Sequence, residues 1–347
     1  MGPFPMKQLE KTVEHICTSA KGRATAFVIG NTSDVFVEGH MYSTPLRETG
    51  ELVYAGVIVR DVETAEEVAR WVDGKVDYVF VDDEKKIRSM YYGPDDVGNI
   101  EKSVRGIIST STLLTYKGND LTVEAVDTLI GSIVGEVSGK RVALIGMGNL
   151  GSKVALKLVE RGVHISAFRR NKQKLDAIVA GLNEIKPADT HARVIAMENI
   201  AHACANADII IGTTNEKSVI TMDDVQCAKP AVLLLDVGKG CFAQEVTEDS
   251  SRIVYRVDVS IVQKQAFLAL VHTKSHYSKQ LGRRSIPEAE ATLVSIGIFG
   301  RKGEVIVDDI EHPTSIIGIS AGDGTLEPSS DEVLKKISDL KSTFGIL

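Results

Sequence analysis

The chain has 347 residues, 43% of them hydrophobic and 25% charged, with 30 Gly against 9 Pro, which excludes low-complexity disorder, collagen and coiled coil and predicts two globular domains, the length being too great for one core and too small for three. Its 40 basic and 47 acidic residues give a net charge of −7, too little positive charge for a nucleic-acid backbone or an anionic membrane to be held by a global field. Four cysteines, at 17, 204, 227 and 241, form no CxxC pair and sit beside no His cluster at zinc spacing, which argues against a disulfide or metal framework.

Met1 to Lys21 has no signal-peptide core, and no apolar run approaches the roughly 20 residues that cross a bilayer. A soluble, cytoplasmic protein is expected, with a small-molecule substrate and a homodimer as its partners. Residues 24–30, 52–59 and 76–81 are short apolar, β-branched runs, and 62–73 has a helical pattern between two of them, so the first part reads as a parallel sheet covered by helices. Apolar positions at helical spacing over 122–134, with Thr122 as N-cap, predict a connecting helix. Strand-like runs follow at 141–146, 163–168, 192–197, 207–212 and 231–238, with helices predicted near 150–161 and 172–182. This is the rhythm of a doubly wound sheet. Beyond it come an amphipathic stretch at 258–275, then LVSIGIFG and EVIVDD joined by RKGE as a hairpin, and a last helix over 330–342. The expected class is α/β, with a doubly wound domain (122–256) that the glycine motif at 146–151 marks as Rossmann and NAD(P)-binding, an N-terminal domain (1–121) left for catalysis, and a C-terminal hairpin and helix (257–347).

Gly146-Met147-Gly148-Asn149-Leu150-Gly151 reads GxGxxG directly after a strand and at the opening of a helix, the context in which backbone amides and a helix N-terminus hold a pyrophosphate. About 20 residues on, where a carboxylate would bond a ribose 2′-hydroxyl, stand Arg169, Arg170, Asn171 and Lys172, so NADP is expected over NAD. Thr213, Thr214 and Asn215 end one strand, and Val237 and Gly238 follow another. All five are expected beside the nicotinamide ribose and ring, while Asp236 reads equally well as a buried cap.

For the proton that accompanies hydride transfer, Lys117 is the candidate donor, with Asp120 orienting it; Lys85 and Lys86 are the rivals. Asp83 is expected to hold a substrate ammonium or hydroxyl. His272 and His276 have i,i+4 spacing but no nearby Glu or Cys, so no metal is expected.

Four of these motifs resemble shikimate dehydrogenases and methylene-tetrahydrofolate dehydrogenases. They are the late glycine loop at 146, the Arg169 to Lys172 segment (like "NRT..K"), ADIIIGTTN with AVLLLDVG, and Gly118-Asn119-Asp120 (like "GxNTDG"). The resemblance implies an NAD(P)-dependent dehydrogenase with Asp120 catalytic, Asn119 at the substrate, and Gln263, in a stretch similar to "MLVxQ…F", reaching a substrate hydroxyl. Val81-Asp82-Asp83 is similar to a strand end in the dehydrogenase of pyrrolysine biosynthesis. No "VTxPxK" lysine motif is present and "NTDG" is shortened to Asn119-Asp120-Leu121-Thr122, which argues against shikimate itself. The expected reaction is hydride transfer to or from a C–O or C–N bond of a hydroxy acid or an amino-acid-derived imine. A methylene-pterin dehydrogenase and a non-catalytic NADP sensor are the alternatives.

Overall fold

A computed structural model describes residues 6–32, 41–87, 99–279 and 281–346, the side chains of 276–279 excepted. The chain divides into two compact units, Met1–Ala266 and Phe267–Leu347.

The first unit holds two sheets. In the first, helix α1 (Met6–Ala20) buries Leu9, Val13, Ile16 and Ala20, a stripe at helical spacing. Strand β1 (Ala24–Asn31), the edge strand β2 (Met41–Glu48) and β3 (Leu52–Val59) follow. Helix α2 (Val62–Val72) is started by Asp61, whose carboxylate accepts from Thr64 N at 2.7 Å. Then come β4 (Tyr78–Asp82), the short α3 (Ile100–Arg105) and β5 (Thr112–Tyr116). The strand order is β2-β3-β1-β4-β5, parallel except for β2, which runs antiparallel to β3. The chain winds from β1 to β3 on one side and to β4 on the other. The crevice where ligands collect in such sheets therefore opens between the ends of β1 and β4, at Asn31 and Asp82.

Helix α4 (Gly118–Val134) leaves β5 for the second sheet. It begins at Gly118 and not after Thr122, because the Thr122 hydroxyl donates back to Gly118 O at 3.0 Å within the helix. The second sheet takes β6 (Arg141–Ile145), α5 (Asn149–Glu160), β7 (His164–Phe168), α6 (Lys172–Ile185) and β8 (Val194–Ala196). These are followed by α7 (Ile200–Cys204), β9 (Ile209–Gly212), α8 (Met222–Gln226), β10 (Leu233–Asp236), α9 (Gln244–Thr247) and β11 (Val254–Arg256). Its order, β11-β10-β9-β6-β7-β8, is all parallel, a doubly wound sheet with its switch point between β6 and β9. Three ion pairs join α4 to α5 in step: Asp120 with Lys153, Glu124 with Lys157, Asp127 with Arg161.

Helix α10 (Ser260–Lys279) contains the division between the units. The second unit is a four-stranded sheet of β12 (Arg283–Ile286), β13 (Ala291–Ser295), β14 (Val305–Val307) and β15 (Ile316–Ile319), with α11 (Asp331–Phe344). Leu293, Val305, Val307 and Leu340 form its core. The expected hairpin between 293–300 and 304–309 is corrected: β13 and β14 are parallel neighbours, and the antiparallel pair is β12 with β13. The RKGE turn closes just ahead of β14, Glu304 N donating to Arg301 O at 3.0 Å, so residues 296–304 carry the chain back to start a parallel strand. Glu304, 8% exposed, is gripped by the Arg283 guanidinium at 2.9 and 3.1 Å.

Candidate functional site

The glycine loop leaves β6 at Gly146, whose φ of +111° suits glycine alone and whose N–H donates to Phe168 O at 2.9 Å. Gly151 packs against the start of that turn so closely that a Cβ there would lie 2.1 Å from Gly146 O. Gly148 is different. A Cβ on it meets nothing within 4 Å, and as the N-cap of α5 it supplies no side-chain acceptor for the helix amides. The loop thus combines a tightly packed base with an open rim at the first turn of α5, where helix amides have no intrahelical partner, the arrangement that accepts an anion. Asn149 sits exposed on the rim, and Leu150 packs against the core of the sheet.

At the end of β7, Arg169 is half-buried and donates to Met147 O at 2.6 Å, bracing the glycine loop from the side. The Arg170 side chain is 78% exposed and pairs with Glu216, while Lys172 pairs with Asp176 one turn along α6. Asn171 caps α6 by accepting from Lys174 N. Thr213 and Thr214, half-buried, and Asn215, exposed, follow β9. Val237 N and Gly238 N both donate to Gly212 O, at 2.8 and 3.0 Å, and a Cβ on Gly238 would strike Thr214 O, so the two strand ends pack together beside the loop. Asp236 is the buried cap: its carboxylate accepts from Gly240 N and Cys241 N at 2.5 and 3.4 Å. Burial pushes the Cys241 thiol up to about 12, so it is no nucleophile at neutral pH.

The ends of β1, β4 and β5 gather a second group. Asp82, at the tip of β4 and 2% exposed, pairs with Lys86 at 3.0 Å, and Glu84 holds the same ammonium at 2.8 Å. The start of α4 closes over them, Gly118 N donating to Asp82 Oδ1 and Asn119 N to Glu84 Oε2. Asn119 also reaches the rim of the glycine loop, its Nδ2 lying 3.4 Å from Asn149 Oδ1. Burial holds the Asp82 carboxyl above the usual carboxylate range, against the opposing pull of Lys86. Burial also works to lower Lys86, but the charges of Asp82 and Glu84 and their hydrogen bonds outweigh it and hold the ammonium above its ordinary value. Lys86 is a firmly stored proton.

Of the other candidates, Lys117 is exposed at the N-cap of α4, and Asp120, 51% exposed, pairs with Lys153. Among the described residues no hydrogen bond joins the two. Lys85 is exposed. Among the described residues Asp83 keeps one buried carboxylate oxygen, Oδ1, without a hydrogen-bond partner, and its pKa is raised by burial despite the nearby Lys117 charge. Asn31 has a buried Oδ1 in the same condition, and its Nδ2 donates to Glu84 O at 2.9 Å. Gln263, 8% exposed, lies on α10 against the first sheet, where Tyr54 OH donates to its Oε1 at 3.5 Å. His276 lies outside the described side chains, and among the described residues no three His, Cys, Asp or Glu gather as a metal site. Glu84, Asn31, Tyr54 and Lys153 escape the sequence reading.

Residues 128–259 match the family model for shikimate / quinate 5-dehydrogenase. That match falls on the second sheet and supports Rossmann-type nucleotide binding of the dehydrogenase kind. No curated protein matches the chain, and the further likeness to the pyrrolysine-biosynthesis dehydrogenase has no support. Similar solved structures include ornithine carbamoyltransferase from Pyrococcus furiosus, at 13% identity and a TM-score of 0.42, over 76% of this chain and 92% of that one. The catalytic subunit of M. jannaschii aspartate transcarbamoylase is 10% identical over 77% and 94%, with a TM-score of 0.45. A dipicolinate synthase component from Bacillus halodurans is 14% identical over 72% and 98%, with a TM-score of 0.35. At such scores they define neither a reaction nor a ligand for this chain. Among the described residues no helix is long and apolar enough to cross a membrane.

Proposed function

We propose that the chain is an NADP-dependent oxidoreductase acting on a C–O or C–N bond of a small polar metabolite, a hydroxy acid or an amino-acid-derived imine. One observation carries the reading: Asn119 joins the open glycine rim, at Asn149 beside Gly148, to Glu84, one of the two carboxylates that hold the half-buried ammonium of Lys86. The residues fit the dinucleotide. The space over Gly148 admits a pyrophosphate to the amides of α5, and Arg170 and Lys172 present exposed cations, with no carboxylate from 169 to 172, where a 2′-phosphate would lie. When bound, the nicotinamide supplies the hydride chemistry.

The protein supplies the rest. Lys86 Nζ carries the proton for the substrate oxygen or nitrogen, and Asp82 and Glu84 fix its direction. Because both carboxylates favour the charged lysine, the group enters the reaction protonated. The orphan acceptors on Asp83 and Asn31 suit donor hydrogens of a hydroxyl or ammonium. Lys86 thus takes the part expected of Lys117.

The test is a fluorescence titration with NADPH and NADH, followed by a turnover screen of keto acids, imino acids and pterins. Preferred NADPH binding with reduction of one of the first two classes bears out the reading. Equal cofactor affinities, or turnover of pterins alone, overturn it.

A further inference from the structure

An open polar cavity of about 500 Å³ lies between residues 45–48 of β2 and the start of α10. Two cations line it, Arg47 and Lys264. Both are half-buried, and among the described residues neither has a hydrogen bond or ion pair. The acids in the same wall are engaged elsewhere. Glu48 is bridged to Arg23 at 2.6 Å. Asp258 accepts from Ser260 N and Ser260 Oγ, both at 2.8 Å; these bonds hold its carboxyl below the usual range, with Arg47 and Lys264 adding to the effect at longer reach. A partly desolvated cation without a partner is costly, and two of them facing one cavity, neither neutralised by contact, is the pattern of a site built for an anion.

Their positions are fixed in advance. Arg47 stands opposite Tyr54 in the β2–β3 register, and Lys264 follows Gln263 on α10. The buried Tyr54 to Gln263 hydrogen bond ties these two backbones together. Ordering the two long side chains therefore needs no movement of their supports.

From this geometry we infer that the Arg47–Lys264 cavity is a carboxylate-binding site for a small organic acid. The guanidinium offers a planar fork and the ammonium a second contact. Asp258, on the same wall, disfavours a doubly charged phosphate group more than the single charge of one carboxylate group. The inference stands whether or not the chain transfers hydride.

The experiment is calorimetric titration of the full chain, at fixed ionic strength, with acetate, succinate, citrate, inorganic phosphate and, as a neutral control, succinamide. Saturable one-to-one binding is expected for at least one of the three carboxylates and not for succinamide. Arg47→Gln and Lys264→Gln should each weaken it roughly tenfold or more, and Asp258→Asn should tighten it. Since neither cation has a folded-state partner, both Gln variants should keep the thermal transition of the parent, and NADPH titration of each should be unchanged. Absence of saturable carboxylate binding, tighter binding of phosphate than of any carboxylate, or undiminished affinity in both Gln variants would overturn the site. A failure of NADPH binding alone would count against the oxidoreductase reading and leave the carboxylate result standing.

Discussion

The Thr213 hydroxyl donates to the carbonyl oxygen of Gly146 at 2.5 Å, so the end of β9 holds the turn that follows β6. The two strands at the switch point are thereby joined at the spot where the nucleotide loop begins. Thr213→Val should lower stability by about 0.5–1.5 kcal/mol and weaken NADPH binding, as read by urea unfolding and by cofactor titration.

The glycines of the loop should separate packing from binding. Gly151→Ala drives a Cβ into the Gly146 carbonyl and should cost about 1–3 kcal/mol in the apo protein. Gly148→Val meets open space and should leave the apo thermal transition in place while abolishing NADPH binding. Scanning calorimetry with and without cofactor distinguishes the two, and tight NADPH binding by folded Gly148→Val protein would remove this segment from the site.

Arg170→Ala should weaken NADPH by roughly tenfold, a loss of about 1.5–3 kcal/mol, and scarcely touch NADH. Glu216→Gln, which frees the Arg170 guanidinium, should strengthen NADPH. Arg169→Ala should weaken both cofactors, because Arg169 braces the loop through Met147 O. Parallel fluorescence titrations decide the matter.

Lys86→Met should lower turnover by about 10²-fold or more, and Lys117→Met should leave it near the parent value. Lys86→Met also strands the buried Asp82 carboxylate, at a cost of about 3 kcal/mol. Adding Asp82→Asn should recover most of that stability without recovering turnover. Unfolding curves and steady-state rates for the double variant test both halves.

Asp73 gives an acid-stability test. Although burial opposes it, hydrogen bonds from Ser111 N, Ser109 N, Thr110 N and Ser109 Oγ lower its pKa to about 2. Because the folded value lies below the unfolded one, the carboxylate stabilises the fold above about pH 4, and the contribution is lost as pH falls from there through about 2. Asp73→Asn should flatten the urea midpoint against pH in that window, and an unchanged slope would contradict the assignment.

The second sheet was legible in the sequence because its central strands β6, β9 and β10 are apolar runs buried on both faces, as in Ile209 to Ile211, and because its glycine turn has a fixed place. The edge strand β2 was not, since Pro45 and its exposed residues give no alternating pattern. The same holds for the parallel return in the second unit, where strands of a few residues carry no sign of their pairing direction. At the site, glycines and arginines could be read because their chemistry is local. In the second group Asp82, Glu84 and Lys86 are close in sequence and Lys86 was read as a rival donor, but their pairing was not, and it is the register of β1 with β4 that adds Asn31.

The ladder of ion pairs between α4 and α5 makes the joint between the two sheets sensitive to its solvent. Its acids recur at 120, 124 and 127 and its bases at 153, 157 and 161, so a slip of one helical turn leaves an end pair unmatched. Each pair is partly exposed and contributes a few tenths to about 1 kcal/mol, and dissolved salt erodes all three together. Ionic strength therefore acts on this molecule as a dial of stiffness, loosening the seam between the glycine-bearing helix and the helix that roofs Asp82 before it affects the core of either sheet.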